Sequence, residues 1–344
     1  MKVLIDHSSP FLLAHGGFQL QIEQTKHALE ELGVEVEFLR WWDAKQTGDI
    51  IHFFGAASVD YLLQSRGKSL RVVQTPLFTE TCNRSDLRLK IQGAVVRGLL
   101  AMPGPVGVKR QLLWKSFVLA DMNVVGLEAE RRVLEWVYGV PRDHISVVPL
   151  GLSREFLSAG PTTSRGDALI CVGTVTGRKN TVPLARMARE VEVPVIFVGG
   201  PYHERDPYWI EFLSLIDNRW VQHQAHVANA NELINLYHGA RGAVVMSRYE
   251  NWCLAAHEAA ACGLPLLLPD LKWSRECFGN DATYFQGDDP KTNLQILRSF
   301  YNAAPSLSAP RRGLYSWHDV AKRLIDLYRD VLQSTARKNV DLTS

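Results

Sequence analysis

Little in this chain of 344 residues points to covalent bracing. Its five cysteines, Cys82, Cys171, Cys253, Cys262 and Cys277, are odd in number and form no C-x-x-C pair. They sit mostly in apolar runs, which suits a reduced, cytoplasmic setting better than a disulfide framework or a zinc site. No run of about 18 apolar residues occurs, so no membrane-spanning helix is expected. The N-terminus, Met1-Lys2-Val3-Leu4-Ile5-Asp6, reads as a strand with an early acid and not as a signal peptide. Charge of one sign is also lacking: 38 Lys and Arg stand against 36 Asp and Glu, a formal net charge of +2. That balance argues against nucleic acid or any other bulk polyanion as partner. There is no carboxylate pair of the glycosidase kind. His223 and His226 lack nearby acids and are not read as metal ligands. Asp288-Asp289 precedes a helix and is read as its cap.

The chain is 46% hydrophobic and 22% charged, the composition of a globular protein long enough for two domains. Strands are expected over Lys2 to Asp6, Val34 to Leu39, Asp49 to Gly55, Leu70 to Gln74, Val118 to Val125 and Ile145 to Pro149. Helices of 10–15 residues alternate with them, which indicates an α/β, doubly wound parallel sheet. Ligands of such sheets sit beyond the carboxyl ends of the strands. That puts Ser8 to Gly17, His52 to Gly55 and Thr75 to Glu80 on one rim, with His15 and His52 as candidate contacts. The stretch 151–166 is rich in Ser, Thr, Gly and Pro and marks a linker between domains 1–150 and 167–314. Residues 81–120 carry an excess of basic side chains, among them Arg84, Arg88, Lys90, Arg97, Lys109, Arg110 and Lys115, interleaved with leucine, valine and isoleucine. Such a segment suits an anionic membrane surface, an acidic acceptor, or simply solvent.

The stretch with the most chemistry is Met246 to Pro265, MSRYENWCLAAHEAAACGLP. A short apolar run ends in a polar turn, an alanine-rich helix follows, and Gly263-Leu264-Pro265 stops it. Glu250 lies in the turn and Glu258 about one turn into the helix. Free N–H groups of Asn251, Trp252, Cys253 and Leu254 at the positive end of the helix dipole suit a phosphate. Carboxylates at the same end suit sugar hydroxyls.

The pattern E-x7-E followed by A-x-A-x-G-x-P resembles the donor site of retaining glycosyltransferases of the GT-B fold, family 4. The resemblance implies two Rossmann-like domains facing across a cleft, and a C-terminal helix, 315–334, that returns to the first domain. Gly16-Gly17 resembles the family's Gly-Gly turn after the first strand, where a backbone without side chains approaches the donor phosphates. Gly173 through Arg178-Lys179-Asn180 resembles the G-x-x-x-x-R-K-N segment. There Lys179 supplies a point charge and Arg178 a planar fork to the diphosphate, whose charge grows as the glycosidic bond breaks. Ala225 to Leu233 resembles the loop that faces the nucleobase, followed by the L-x-x-x-Y helix, Leu233 to Tyr237.

The implied activity is transfer of a sugar, with retention, from a nucleoside-diphosphate donor to a glycan, lipid-linked or other hydroxyl acceptor in cell-envelope glycan synthesis. Glu250 would contact the donor sugar and Glu258 the ribose. No metal or other cofactor is implied. The implied place is the cytoplasm, with peripheral contact at the inner membrane face through 81–120. The sequence departs from the family at two points. Thr174 stands where many members carry arginine, and Leu77 falls near the usual histidine. A nucleotide-sugar-binding protein without turnover, and a nucleotide-sugar epimerase on the same fold, therefore stay open.

Overall fold

The computed structural model describes residues 1–12, 16–101, 114–162, 165–287 and 289–341. His15, Lys109, Arg110 and Asp288 lie outside the described residues. The chain divides into two compact units, Met1–Gly151 with Trp317–Ser344, and Leu152–Ser316.

The first unit is built on six parallel strands: β1 (Lys2–His7), β2 (Glu35–Phe38), β3 (Ile50–Phe54), β4 (Arg71–Thr75), β5 (Met122–Val125) and β6 (Ile145–Val147). Their order is β2-β1-β3-β4-β5-β6. Val3 pairs with Ile50, and Ile50 with Arg71. The central strand β3 is apolar at four of its five positions because helices cover both faces. Every residue of β3 is buried. The expected strand over Val118 to Val125 is shorter at its start. Trp114–Leu119 is a helix, and the chain turns extended only at Met122.

His52 departs from its expected place on the rim. Its ring is 1% exposed in the middle of β3. Nδ1 lies 2.6 Å from the Tyr328 hydroxyl and Nε2 2.7 Å from the Thr75 hydroxyl. Burial pushes its pKa down to about 3, so it is a neutral core residue. The strand runs on to Phe54, which carries the rim two residues further than a lone histidine suggests. Tyr328 comes from the helix Trp317–Asp341, which packs on the helix Gly17–Glu31 of the same unit. Its buried positions, Val320, Ala321, Leu324, Ile325, Tyr328 and Val331, keep the three-and-four spacing of an amphipathic helix.

The second unit repeats the plan with β7 (Leu169–Val172), β8 (Val195–Val198), β9 (Val221–Gln224), β10 (Ala243–Val244), β11 (Leu266–Leu268) and β12 (Thr283–Tyr284). The order is β12-β11-β10-β7-β8-β9, all parallel. Leu169, Phe197, Phe212, Val244, Leu267 and Leu297 form one core under the sheet. Part of the stretch 151–166 is ordered against this unit. Arg154–Ala159 is a helix that packs on the helices Ala230–His238 and Leu254–Ala261.

Strand order runs outward from β7 to β9 and then jumps back to β10 on the other side of β7. The reversal lies between β7 and β10. At such a point the connections leave in opposite directions and open a crevice at the carboxyl ends of the strands.

Candidate functional site

Two loops flank that reversal in the second unit: 173–180 after β7 and 245–253 after β10. They meet. Lys179 Nζ is 2.5 Å from Glu250 Oε1 and Arg178 Nη1 is 2.8 Å from the same oxygen. The backbone N–H of Arg248 donates to the Arg178 carbonyl at 2.9 Å, so the loops are also joined through the main chain. Glu250 is 5% exposed. Lys179 keeps 17% of its side chain exposed and Arg178 33%. Two cations facing one carboxylate leave a surplus positive charge at the mouth of the crevice.

The path of the first loop depends on two glycines. Gly173 has φ +148° and lies under the Lys179 stem; a Cβ there would stand 3.5 Å from Lys179 Cε. Gly199, at the end of β8, has φ +142°, and a Cβ there would fall 2.2 Å from the Gly173 carbonyl oxygen. The two strand ends can therefore approach only with glycine at 199. Asn180 closes the loop in the left-handed region, φ 58°, and starts the helix Thr181–Glu190. Asparagine is one of the few side chains that tolerate that conformation. Burial is the largest influence on Lys179 and pushes its pKa down; the charge and hydrogen bond of Glu250, together with Cys253, more than offset it, so the ammonium is held above its usual value.

The second loop leads into the helix Leu254–Ala261, whose N-cap residue, Cys253, gives it no side-chain hydrogen bond. The Cys253 carbonyl accepts from the N–H groups of Ala256 and His257, and also lies 2.9 Å from His257 Nδ1. Trp252 is buried and its ring stacks on His257, centroids 4.4 Å apart and 6° from parallel. Cys253 is 2% exposed, and burial pushes its thiol up to about 11. So Trp252 and Cys253 anchor the turn with their side chains and leave only backbone for a ligand. Asn251 and Leu254 are half-buried beside them.

Glu258 is half-buried on the same helix. Burial pushes its carboxyl up to about 7, against the Tyr237 hydroxyl and the Lys179 charge, which both pull it down. The Tyr237 hydroxyl lies 3.2 Å from Glu258 Oε2 and 3.2 Å from the Ala255 carbonyl.

Gly173, Arg178, Lys179 and Glu250 thus fall within one constellation, with Asn251 to Leu254 and Glu258 on the adjoining turn and helix. Gly16 and Gly17 belong to the first unit. Gly16 caps the helix Gly17–Glu31 at φ 119°, and a Cβ there would meet nothing within 4 Å. Tyr237 was not among the residues expected to act, although its place in L-x-x-x-Y, at helical spacing, was the available signal. Ser247 carries no signal in the sequence: its hydroxyl is buried beside the Glu250 turn without a hydrogen-bond partner among the described residues. No group of three His, Cys, Asp or Glu side chains among the described residues has the geometry to hold a metal ion.

The arrangement can grip an anion with cations and amides while a carboxylate receives hydroxyl donors. Residues 160–295 match the family profile of glycosyl transferases group 1. D-inositol 3-phosphate glycosyltransferase 1 of Catenulispora acidiphila is 25% identical over 254 residues, 65% of this chain and 61% of that protein. O-antigen chain mannosyltransferase B of Escherichia coli is 24% identical over 240 residues, 63% of this chain and 62% of that protein. The chain thus spans about three fifths of the length of these curated relatives. Among solved structures, sucrose-phosphate synthase from Thermosynechococcus elongatus superposes with TM-score 0.70 at 17% identity, covering 97% of this chain and 100% of that one. Anabaena HepE in complex with UDP and glucose gives 0.64 at 12% identity, covering 95% and 98%. These two likenesses are of fold, and the fold is the two-domain α/β GT-B class.

Proposed function

We propose that this chain, of which residues 160–295 match the family profile of glycosyl transferases group 1, moves a sugar from a nucleoside-diphosphate donor to a hydroxyl acceptor with retention. The observation that carries the reading is the meeting of Arg178, Lys179 and Glu250 across the strand reversal, beside a helix N-terminus to which the N-cap side chain, Cys253, gives no hydrogen bond. In this reading the diphosphate takes its charge compensation from Lys179, Arg178 and the amides of Trp252 to Leu254, with no resident metal. Glu258 accepts from the ribose hydroxyls and Glu250 from the donor sugar. Compensation becomes stronger as the leaving diphosphate gains charge, so it favours the transition state over the bound donor.

HepE is described with UDP and glucose, which makes a uridine nucleotide the first donor to try. The relatives' names, an inositol phosphate and an O-antigen mannose transferase, favour a polyhydroxylated or lipid-linked acceptor. The test is calorimetric titration of the full chain with UDP, GDP and ADP, repeated on Lys179→Ala and Glu258→Ala. At least one diphosphate binds the parent and binds both variants more weakly. Equal affinity in all three proteins removes the assignment.

No helix among the described residues is long and apolar enough to cross a membrane. The helix Asp86–Ala101 nevertheless turns Leu87, Ile91, Val95 and Leu99 outward, 48–69% exposed. These four recur every fourth residue and form one stripe. Arg88 and Lys90 are exposed on the same helix. We propose that this face lies on an anionic bilayer from the cytoplasmic side, bringing the site to lipid-linked acceptors. A binding protein without turnover is the second reading, favoured by Leu77, 40% exposed near the place of the family's usual histidine. Release of free sugar from the donor separates the two.

A further inference from the structure

The turn after β2 carries two adjacent tryptophans on the surface. Trp41 is 74% exposed and Trp42 83%. They are the central residues of a tight turn closed by the Asp43 N–H donating to the Arg40 carbonyl at 3.0 Å. Such positions ordinarily hold small or polar residues, and an indole left in water forgoes its large burial term. The turn is also held rigid. Arg40 reaches Asp43 Oδ2 through Nε at 3.1 Å and Nη2 at 2.9 Å, and Glu37 through Nη1 at 2.6 Å. The side-chain amide of Gln46 donates to Glu37 at 2.8 Å, while its oxygen accepts from the Arg40 N–H at 2.8 Å. A clamped turn with bare indoles at its corner is preorganised for a ligand.

Behind the turn lies a cavity of about 490 Å³ at the carboxyl ends of β1 and β2, within the roughly 300–1,000 Å³ of small-molecule sites. Its walls include Phe11, Phe38, His7 and Trp41. His7 stacks on Phe11 at 4.5 Å, and both meet Phe38 edge-on at 6.2 Å. The buried charge in the wall is Asp6, 4% exposed. It is held by the His7 N–H at 2.9 Å, the Tyr61 hydroxyl at 2.8 Å and the Trp41 indole N–H at 3.3 Å. A carboxylate accepts about four hydrogen bonds, and among the described residues these three donors leave room for one more. His7 Nδ1 is 2.7 Å from the Ser9 carbonyl, which can only accept. Nδ1 therefore carries a proton, and Nε2 is left for a ligand hydroxyl.

We infer that this cavity binds a pyranose ring of the acceptor, stacked on Trp41 and hydrogen-bonded through its hydroxyls to Asp6 and His7. A sugar ring has an apolar C–H face and a rim of hydroxyl donors, which matches flat aromatic walls around acceptor atoms. A phosphate would face the Asp6 carboxylate, and an acyl chain would strand that carboxylate unhydrated. The inference rests on the glycosyl-transfer reading for the word acceptor; the carbohydrate chemistry stands without it.

The test is saturation-transfer NMR and tryptophan fluorescence on the full chain, with methyl α-D-glucopyranoside, methyl α-D-mannopyranoside and maltose as probes. At least one saccharide responds in the parent. Trp41→Ala weakens it about tenfold or more, and Trp41→Phe restores part of the loss. Asp6→Asn weakens it too, and far-UV circular dichroism checks that each variant is folded. Absence of any saccharide response, or an equal response in Trp41→Ala, overturns the inference. So does loss of binding to phosphatidylglycerol vesicles in Trp41→Ala with saccharides silent, which makes the indole a lipid contact. A parent that binds saccharides through Trp41 but no nucleoside diphosphate keeps this cavity and removes the transfer reading alone.

Discussion

Lys179 and Glu250 are 71 positions apart in the chain, yet the ammonium of one lies 2.5 Å from the carboxylate of the other across the strand reversal of the second sheet. The pair makes the cation available at a cost: Glu250 must share it with any incoming phosphate. Replacing Lys179 by Ala removes charge-assisted hydrogen bonds to the diphosphate, each worth about 1.5–3 kcal/mol. Diphosphate affinity should fall roughly ten- to hundredfold. Calorimetry on the variant checks it, and a change below about twofold would exclude a direct contact.

Glu250→Gln should act through Lys179. Burial pushes the ammonium pKa down and Glu250 holds it up. Without the carboxylate, burial prevails and Lys179 loses its proton at lower pH. Nucleotide affinity of Glu250→Gln should therefore begin to decline with rising pH before that of the parent does. Parallel affinity profiles for the two proteins would show that the pair is not coupled.

Glu258 gives a dependence of the opposite kind. Its carboxyl is raised from 4.5 to about 7 in the folded chain. Between those values the unfolded chain has lost the proton and the folded chain keeps it. The folded state binds more protons there, so this group's contribution to stability falls as pH rises from about 4.5 towards about 7. Denaturant unfolding across that range should show the fall in the parent and a flatter profile in Glu258→Gln. An ionised carboxylate accepts more strongly from ribose hydroxyls than the neutral acid does, so nucleotide affinity in the parent should rise with pH near neutrality. Binding should release protons, which calorimetry in buffers of different ionisation enthalpy measures.

The glycines at the strand ends separate two kinds of backbone constraint. Gly199 and Gly16 both have positive φ, +142° and +119°, but a Cβ at 199 would sit 2.2 Å from the Gly173 carbonyl while one at 16 has open space. Gly16→Ala should cost about 1–3 kcal/mol of backbone strain. Gly199→Ala adds a clash with main chain that no rotamer relieves, so its loss should be clearly larger, about 4 kcal/mol or more. Equal midpoints in a urea titration would contradict the packing of the two strand ends.

How far the sequence carried follows from the same elements. The parallel sheets were legible because β1, β3 and β7 are near-continuous apolar runs of strand length, bounded by glycine or polar turns. The Glu250 to Pro265 segment was legible because its chemistry is local in sequence. The Lys179–Glu250 contact was not, since nothing in either loop encodes the strand order that joins them. His52 misled because a polar residue at a strand end suggests the rim, while its two partners, Thr75 and Tyr328, are 23 and 276 positions away. In the sequence Asp6 reads only as an early acid, and Trp41 carries no signal. The meaning of both lies in their contact across two strands.

The stripe on Asp86–Ala101 provides the remaining prediction. Leu89, Gly93 and Val96 face inward, towards residues 134–138, while Leu87, Ile91, Val95 and Leu99 face water. A helix fixed on one side and apolar on the other keeps that second surface for something else. If the something is a bilayer, the full chain should sediment with phosphatidylglycerol vesicles at low salt. High salt should release part of it, because the basic side chains lose their attraction over a Debye length of about 10 Å at 0.1 M. The apolar part should persist in phosphatidylcholine only weakly. Ile91→Glu with Val95→Glu places two charges on the exposed stripe without touching the inward face, so thermal stability should hold while sedimentation is lost. Sedimentation unchanged by that double substitution, or absent in the parent at low salt, would mean that the helix does not meet a membrane through this face.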